Sequence, residues 1–434
     1  MALGGPARPR PRRGSGGARR VAPGALLPGA GPRRLRGGRG RGEALPRRSR
    51  EARAVRIVIE EPLHGSGRGG VAVYNRRLIT LLSEMDPETE YLLFTYYFGG
   101  HPDVAARLAP PPGARWKRLH ARWPERVVRK AEWGWKVPLV ESYLAARGAD
   151  LYHCHRVPVT KRVPLVTTVH DLFTEVHPEW SSGWMKELFG EVVRPGLGRV
   201  ERILSISEGT KKDLVERWGV APERIQVIHE GVDGGVFKPL PKETLAHVRA
   251  QYRLPERFLM MVGPFDPWCD PRWTLEALAR LPSHLGTVGL VMAGPRGSLY
   301  EDVQRRAAEL GLSRRVQWLG YVPQADLVAA YNLAQALMFA SGYEGFGLPV
   351  LEAMSCGTPV VTSRSGALPE VAGEAALLCD YDSPEQLAAA MVQVLDDGAV
   401  RADLREKGLR RAAALPWEKT ARETLAVYRS VLGR

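Results

Sequence analysis

The chain has 434 residues, enough for two domains with cores of their own. Its apolar share of 44% and charged share of 25% are those of a globular protein rather than a disordered or fibrous one. The net charge of +15 is local: residues 1–54 set fifteen arginines against only Glu43 and Glu51, and the rest is close to neutral, which excludes a nucleic-acid-binding surface spread over the whole protein.

Residues 1–54 are rich in Arg, Gly, Pro and Ala and lack aromatic residues, so disorder is expected. A polybasic arm for membrane or nucleic acid, and an over-extended reading frame that truly opens at Val55, are readings left open. From Val55 strand and helix patterns alternate. Val55–Glu60 reads as a strand and Gly69–Ser83 as a helix with Val73, Leu78, Leu81 and Leu82 inward; Tyr91–Phe98 reads as a second strand. The stretch Arg115–Lys136 interleaves Trp116, Trp123, Trp133 and Trp135 with basic residues. An amphipathic helix with its tryptophans packed inward fits, as does a contact with an anionic membrane or with single-stranded nucleic acid. Pro164–Val169, Ile203–Ile206 and Arg224–His229 are further strands, and 234–241 reads as a linker. The pattern restarts with Phe258–Val262, Gly289–Ala293, Val316–Gly320, Ala336–Ala340, Pro359–Thr362 and Ala375–Cys379, and ends in a helix at Trp417–Leu432. Alternation of this kind predicts α/β architecture: two doubly wound, Rossmann-like domains facing across a cleft outside the strand ends. The expected divisions are 1–54, 55–235, 236–416 and a last segment, 417–434.

No apolar run approaches the roughly 20 residues that span a bilayer. The cysteines Cys154, Cys269, Cys356 and Cys379 stand far apart without CxxC spacing, so a reduced, cytoplasmic setting, in solution or at the inner membrane face, is expected. Asp380-Tyr381-Asp382 matches a D-x-D metal string, but it follows a strand and precedes the helix-start signal Ser383-Pro384-Glu385, which favours turn and cap duty. No metal is expected. His64-Gly65-Ser66-Gly67-Arg68-Gly69-Gly70 formally satisfies G-x-G-x-x-G. A dinucleotide fold requires an acid at the end of the second strand. Here that strand ends Thr95-Tyr96-Tyr97-Phe98-Gly99-Gly100, so the dinucleotide reading is disfavoured.

Ser341–Val361 is the most informative segment. Glu344 and Glu352 bracket Gly345-Phe346-Gly347 and a helix opened by Pro349, closed by a left-handed Gly357 and barred from continuing by Pro359. The amides after Gly347 sit at a helix N-terminus, which favours phosphate, with a carboxylate on either side to accept sugar hydroxyls. His170-Asp171, at the end of a strand, reaches the same cleft edge; a strand-end His with Asp171 as a turn residue is its structural alternative.

This segment, with HGSGRGG at 64–70, TTVHDL at 167–172, ILSISEGTKKDLVERWGV at 203–220 and RIQVIHEGVD at 224–233, resembles the family 4 glycosyltransferases of the GT-B fold, whose mark is E-x7-E. The resemblance runs from about Val55 to the C-terminus. It implies transfer of a sugar from a nucleotide-sugar donor to a saccharide or lipid-linked acceptor, with retained configuration, no metal and no cofactor. By that resemblance His170 lies against the transferred sugar and Glu344 contacts it. Glu352 holds the ribose hydroxyls, Phe346, Gly347 and Leu348 belong to the donor loop, Gly69 and Gly70 approach the phosphate, and Tyr321 and Val322 seat the base. One departure stands out. Where the family carries VGR-x4-K, this chain has Val262-Gly263-Pro264 and then Cys269, so the diphosphate-neutralising Arg and Lys are missing. Arg272 is the nearest replacement, with Arg68 and Arg296 as others. A catalytically weak sugar-nucleotide-binding protein is the alternative this departure motivates. The tail motivates a salt-sensitive membrane or nucleic-acid partner, although no specific nucleic acid is expected.

Overall fold

The computed structural model describes residues 54–61, 69–96 and 109–434. The expectations for residues 1–53, and for His64, Gly65, Ser66, Gly67, Arg68 and Tyr97–Gly100, lie outside the described residues. Two parallel sheets organise the chain. The first contains β1 (Arg56–Glu60), β2 (Glu90–Tyr96), β3 (Lys117–Ala121), β4 (Leu151–Cys154), β5 (Leu165–Val169), β6 (Arg202–Ser205) and β7 (Ile225–Val227), in the order β3-β2-β1-β4-β5-β6-β7. The second contains β8 (Phe258–Val262), β9 (Gly289–Ala293), β10 (Val316–Gly320), β11 (Ala336–Phe339), β12 (Val360–Ser363) and β13 (Ala376–Cys379), in the order β10-β9-β8-β11-β12-β13. Both are doubly wound: the order reverses beside the first strand of each sheet, between β1 and β4 and between β8 and β11. A crevice opens at the C-terminal strand ends of such switch points, and there the ligands of open α/β sheets bind.

Both faces of each sheet are covered, and the central strands are accordingly apolar throughout, as in Phe258-Leu259-Met260-Met261. Helix Gly70–Met85 buries Tyr74, Asn75, Leu78, Ile79 and Leu82 against the first sheet. Val73, expected inward, is 42% exposed. The inward face instead runs through Tyr74 and Leu78, four residues apart, as the helical period requires.

The Trp-rich stretch is not one helix. It contributes Trp116 and the edge strand β3, then a short helix Glu125–Arg129 and a π-helical turn Lys130–Gly134. Trp116 is buried, and Trp123 and Trp133 pack against the core of the first sheet, whereas Trp135 is 65% exposed. Strand β4, not singled out among the expected sheet strands, is a four-residue element buried at every position.

The chain leaves the first sheet at Val232, whose N–H donates to Leu415 O (2.9 Å) beside the returning Pro416. The predicted linker, 234–241, follows and leads into helix Lys242–Tyr252. Past Pro416, the helix Trp417–Leu432 packs along Gly70–Met85, and its Tyr428 hydroxyl meets His153 Nδ1 at 2.5 Å. No helix among the described residues is long and apolar enough to cross a membrane.

Candidate functional site

The two sheets meet at their C-terminal edges, where short turns carry the chemistry. After β11 the chain turns through Ser341–Gly347 and enters helix Leu348–Ser355. Gly347 caps that helix in the left-handed region (φ 102°), a conformation open to glycine and strained for any side chain. Pro349 lies in the first turn, and Gly357 (φ 75°) ends the segment as expected. Phe346 is buried in the core, with His229 ring-to-ring at 6.1 Å.

Glu352 sits one turn into this helix. The hydroxyl of buried Tyr331 donates to its Oε2 at 3.0 Å. Burial pushes the Glu352 carboxyl up to about 7, and the Tyr331 hydrogen bond opposes that rise. Glu344 is likewise raised to about 7, chiefly by burial, with a Ser341 hydrogen bond pulling down and the Asp171 charge pushing up. At neutral pH both acids therefore stand near the midpoint of ionisation, whereas exposed acids are fully charged.

The structure brings His170 to the same place. It ends β5, and its carbonyl would collide with any Cβ on Gly345, so the two domains touch at the glycine that follows Glu344. His170 Nδ1 lies 3.4 Å from Glu230 Oε1, its ring stacks on His155 (5.3 Å), and Tyr74 meets it edge-on (4.9 Å). Asp171 has the turn role: its Oδ1 accepts from Phe173 N at 3.0 Å. Gly69 caps the helix that carries Tyr74. A Cβ at Gly69 or Gly70 would meet nothing within 4 Å among the described residues, so packing does not require glycine there.

Other contacts across the cleft hold it closed. Tyr343 donates to Asp213 Oδ2 (2.7 Å) and accepts from Leu172 N (3.3 Å). Trp268 packs edge-on against Phe173 (5.2 Å), and Gly342 leaves room for the Trp180 ring. Glu370, from the short helix Leu368–Ala372, accepts from Glu208 N (2.9 Å), Gly209 N (3.1 Å) and His229 Nε2 (2.5 Å).

The remaining candidates are placed differently. Tyr321 follows β10 and is 60% exposed, whereas Val322 points into the core and can offer a ligand only its backbone. Pro264 is exposed. Cys269 is buried, with its thiol held well above the usual range by burial and by the negative charges of Glu344, Asp270 and Asp266; it supplies neither a thiolate nor a cation. Arg272 grips Asp270 through Nε (2.9 Å) and Nη2 (2.6 Å), and that carboxylate also caps helix Pro271–Ala279. Its charge is thus already neutralised by a neighbour. Arg296 lies over the Tyr300 ring at 4.2 Å. Among the described residues there is no cluster of three or more His, Cys, Asp or Glu arranged to hold a metal.

Sequence reasoning missed the polar group on the other wall, formed by Glu61, Asn75, His155 and Glu230. Two signals were available: the adjacent acids Glu60 and Glu61 at the end of β1, and the histidines of His153-Cys154-His155 at the end of β4. It also missed Glu370 and Tyr343, because a contact between domains leaves no local pattern.

Two family models match the chain: glycosyltransferase family 4 over residues 68–234 and glycosyl transferases group 1 over residues 246–411. The chain is 30% identical over 311 residues to an O-antigen chain mannosyltransferase B of Escherichia coli, covering 70% of this chain and 78% of that one. It is 30% identical over 423 residues to a D-inositol 3-phosphate glycosyltransferase of Salinispora tropica, covering 88% and 85%. Among solved structures it resembles the Anabaena protein Alr3699/HepE in complex with UDP and glucose (TM-score 0.66, 18% identity, 87% of this chain and 100% of that one), a likeness of fold.

Proposed function

The chain belongs to the family 4 glycosyltransferases and has their GT-B fold, and from that premise we propose that it moves a sugar, with retained anomeric configuration and without a metal, from a nucleoside diphosphate sugar to a saccharide or lipid-linked acceptor in cell-surface polysaccharide or glycolipid synthesis. One observation carries the reading. Glu344 and Glu352 flank the Gly347 cap of helix Leu348–Ser355, and His170 from the other domain meets the same turn. In this reading the diphosphate lies over the Leu348 amide, since Pro349 has no N–H and Val350 N donates to Gly347 O (3.0 Å), at a helix end that favours an anion. Ribose hydroxyls bind Glu352, and the transferred sugar lies between Glu344 and His170. The base stacks at Tyr321. The relatives act on mannosyl and inositol phosphate substrates, and HepE binds UDP and glucose, which supports a sugar-nucleotide ligand.

Transfer needs stabilisation of an oxocarbenium-like sugar and a departing diphosphate. The leaving phosphate takes the acceptor proton, so no side-chain nucleophile is required. The closed cleft keeps water from competing. A lipid-linked acceptor fits the exposed Val127, Trp135 and Val137, with Lys130 over the Trp135 ring at 5.0 Å, as a peripheral membrane contact.

A second reading rests on Pro264, the buried Cys269 and the Asp270-bound Arg272, which together leave the usual diphosphate clamp without cations. It is a protein that binds sugar nucleotides but transfers weakly. A thermal-shift panel of nucleoside diphosphates and nucleotide sugars on the wild type and Glu352→Ala tests the site, and nucleotide release with acceptor sugars separates the readings. Expected are a shift with one nucleotide class, loss of most of it in Glu352→Ala, and acceptor-stimulated release. Equal shifts in both proteins would refute the ribose assignment.

A further inference from the structure

The wall opposite the donor helix carries a polar array that the donor reading leaves unused. Strand β1 ends in Glu60, and Glu61 follows it; both are almost fully buried. Glu60 is consumed within the protein. Its carboxylate accepts from His155 N (2.8 Å), Arg156 N (2.9 Å) and Arg156 Nε (3.1 Å), which fixes the turn after β4. Glu61 is half satisfied. Its Oε2 accepts from Asn75 Nδ2 at 3.0 Å, and its Oε1 has no partner, although the residue is only 2% exposed.

Its neighbours orient it. Asn75 Nδ2 also donates to Glu60 O (3.0 Å), and Asn75 Oδ1 pairs with His155 Nε2 (3.0 Å), so the amide can present only its N–H side to Glu61. His155 stacks on His170, whose Nε2 is a second buried polar atom without a partner. With His170 Nδ1 facing Glu230, Nε2 is the ring atom left to meet a ligand. An orphaned buried polar atom is costly until a partner satisfies it. Here one chain of contacts, Glu61–Asn75–His155–His170, has such an atom at each end.

Resting on the donor reading above, we propose that Glu61, positioned by Asn75 and His155, reads a hydroxyl group of an uncharged carbohydrate acceptor. The Glu61 vacancy is a hydrogen-bond acceptor, and a sugar hydroxyl brings the hydrogen it lacks. Burial pushes the Glu61 carboxyl up to about 7, against the pull of Asn75 and Arg76 and with a push from Glu60. A hydroxyl gives the ionised carboxylate the hydrogen it lacks and so favours that form, whereas a phosphate is repelled by it. The charges agree. Arg156 is spent on Glu60, and Arg76 offsets one carboxylate, so Glu60, Glu61 and Glu230 leave no net positive seat for an anionic group.

The test uses the full chain with methyl α-D-mannopyranoside as the neutral probe and myo-inositol 1-phosphate as the charged one, read by saturation-transfer NMR in the presence of UDP or GDP. In Glu61→Gln the Asn75 N–H still requires an oxygen opposite it, so the new amide turns its NH2 into the vacancy and replaces an acceptor with a donor. Hexoside binding is expected to weaken about tenfold or more, one lost hydrogen bond of ordinary strength. Inositol phosphate is expected not to displace the hexoside from the wild type. The nucleoside diphosphate thermal shift of Glu61→Gln reports that the variant is folded. A normal shift with unchanged hexoside binding overturns this inference alone, as does a wild type that binds no hexoside or one that yields it to inositol phosphate. A wild type that no nucleoside diphosphate shifts overturns the donor reading and this inference with it.

Discussion

Glu370 ties the two domains together across the cleft with three hydrogen bonds. It comes from the second domain, yet its carboxylate receives the first two amides of helix Glu208–Trp218 and the imidazole of His229, all from the first domain. Burial by itself would raise this carboxyl. The hydrogen bonds from His229, Glu208 and Gly209 outweigh it and hold the carboxyl below its usual range. Hydrogen bonds to a charged group contribute about 1.5–3 kcal/mol each when well shielded. About a quarter of each side chain is exposed, so roughly half of that is retained, and Glu370→Ala is expected to lose about 2–4 kcal/mol in total. The pH dependence has a fixed sign. Because the folded carboxyl is depressed, its contribution is complete above the unfolded value near 4.5 and is lost as pH falls through the folded one. Urea unfolding of wild type and Glu370→Ala, from pH 7 down to pH 4 and below, measures both quantities, and X-ray scattering at pH 7 reports whether the variant has opened. A difference under about 0.5 kcal/mol at pH 7, the size of an ordinary surface substitution, would refute the reasoning. So would a difference that does not shrink on acidification.

Glu344 and Glu352, both raised to about 7, act in the opposite direction: their burial costs stability as pH rises from about 4.5 to 7, so Glu344→Gln/Glu352→Gln is expected to gain on the order of 5 kcal/mol relative to wild type between pH 5 and pH 8. Melting temperatures across that range check it, and a constant difference would count against buried, ligand-free acids. Gly345→Ala places a Cβ against His170 O and is expected to abolish transfer while each domain keeps its fold. Unchanged turnover would show that the closed contact is not the working one. Trp135→Ser with Lys130→Ser is expected to weaken flotation with vesicles rich in phosphatidylglycerol at low salt. Equal flotation removes this patch from the membrane reading.

Architecture was legible because its signals are local. The apolar runs at Phe258–Val262 and Gly289–Ala293 and the partly buried Val316–Gly320 predicted strands whose bounds the structure reproduces. Gly347, Pro349 and Gly357 marked both ends of the helix between the two acids because each enforces a backbone angle that other residues avoid. Strand β3 was hidden because Trp116 and the basic residues around it fit a helix period as well as a strand period over so short a stretch. Val73 was misplaced for a related reason: a β-branched apolar residue in a helix need not face the core, and Tyr74 beside it competed for that face. Glu61, Asn75 and His155 were invisible as a group because they come from three separate elements and are neighbours only once β1, β4 and helix Gly70–Met85 have packed.

The absent Arg and Lys and the elevated acids belong to one electrostatic balance. A diphosphate placed beside two ionised carboxylates in a poorly hydrated cleft is repelled by both, and cations normally offset that repulsion. Pro264 and Cys269 provide no such offset, and Arg272 is bound to Asp270. Burial meets part of the need from the other side. With Glu344 and Glu352 near half-ionisation at neutral pH, the site carries about one negative charge where two exposed acids would carry two. An approaching anion raises both carboxyls further, so they take up protons as it binds and repel it less. Reduced repulsion favours binding but supplies no positive charge to a leaving group as its bond breaks. Ground-state affinity can therefore survive the loss of the clamp, while acceleration of transfer depends on what the helix amides and the closed cleft provide.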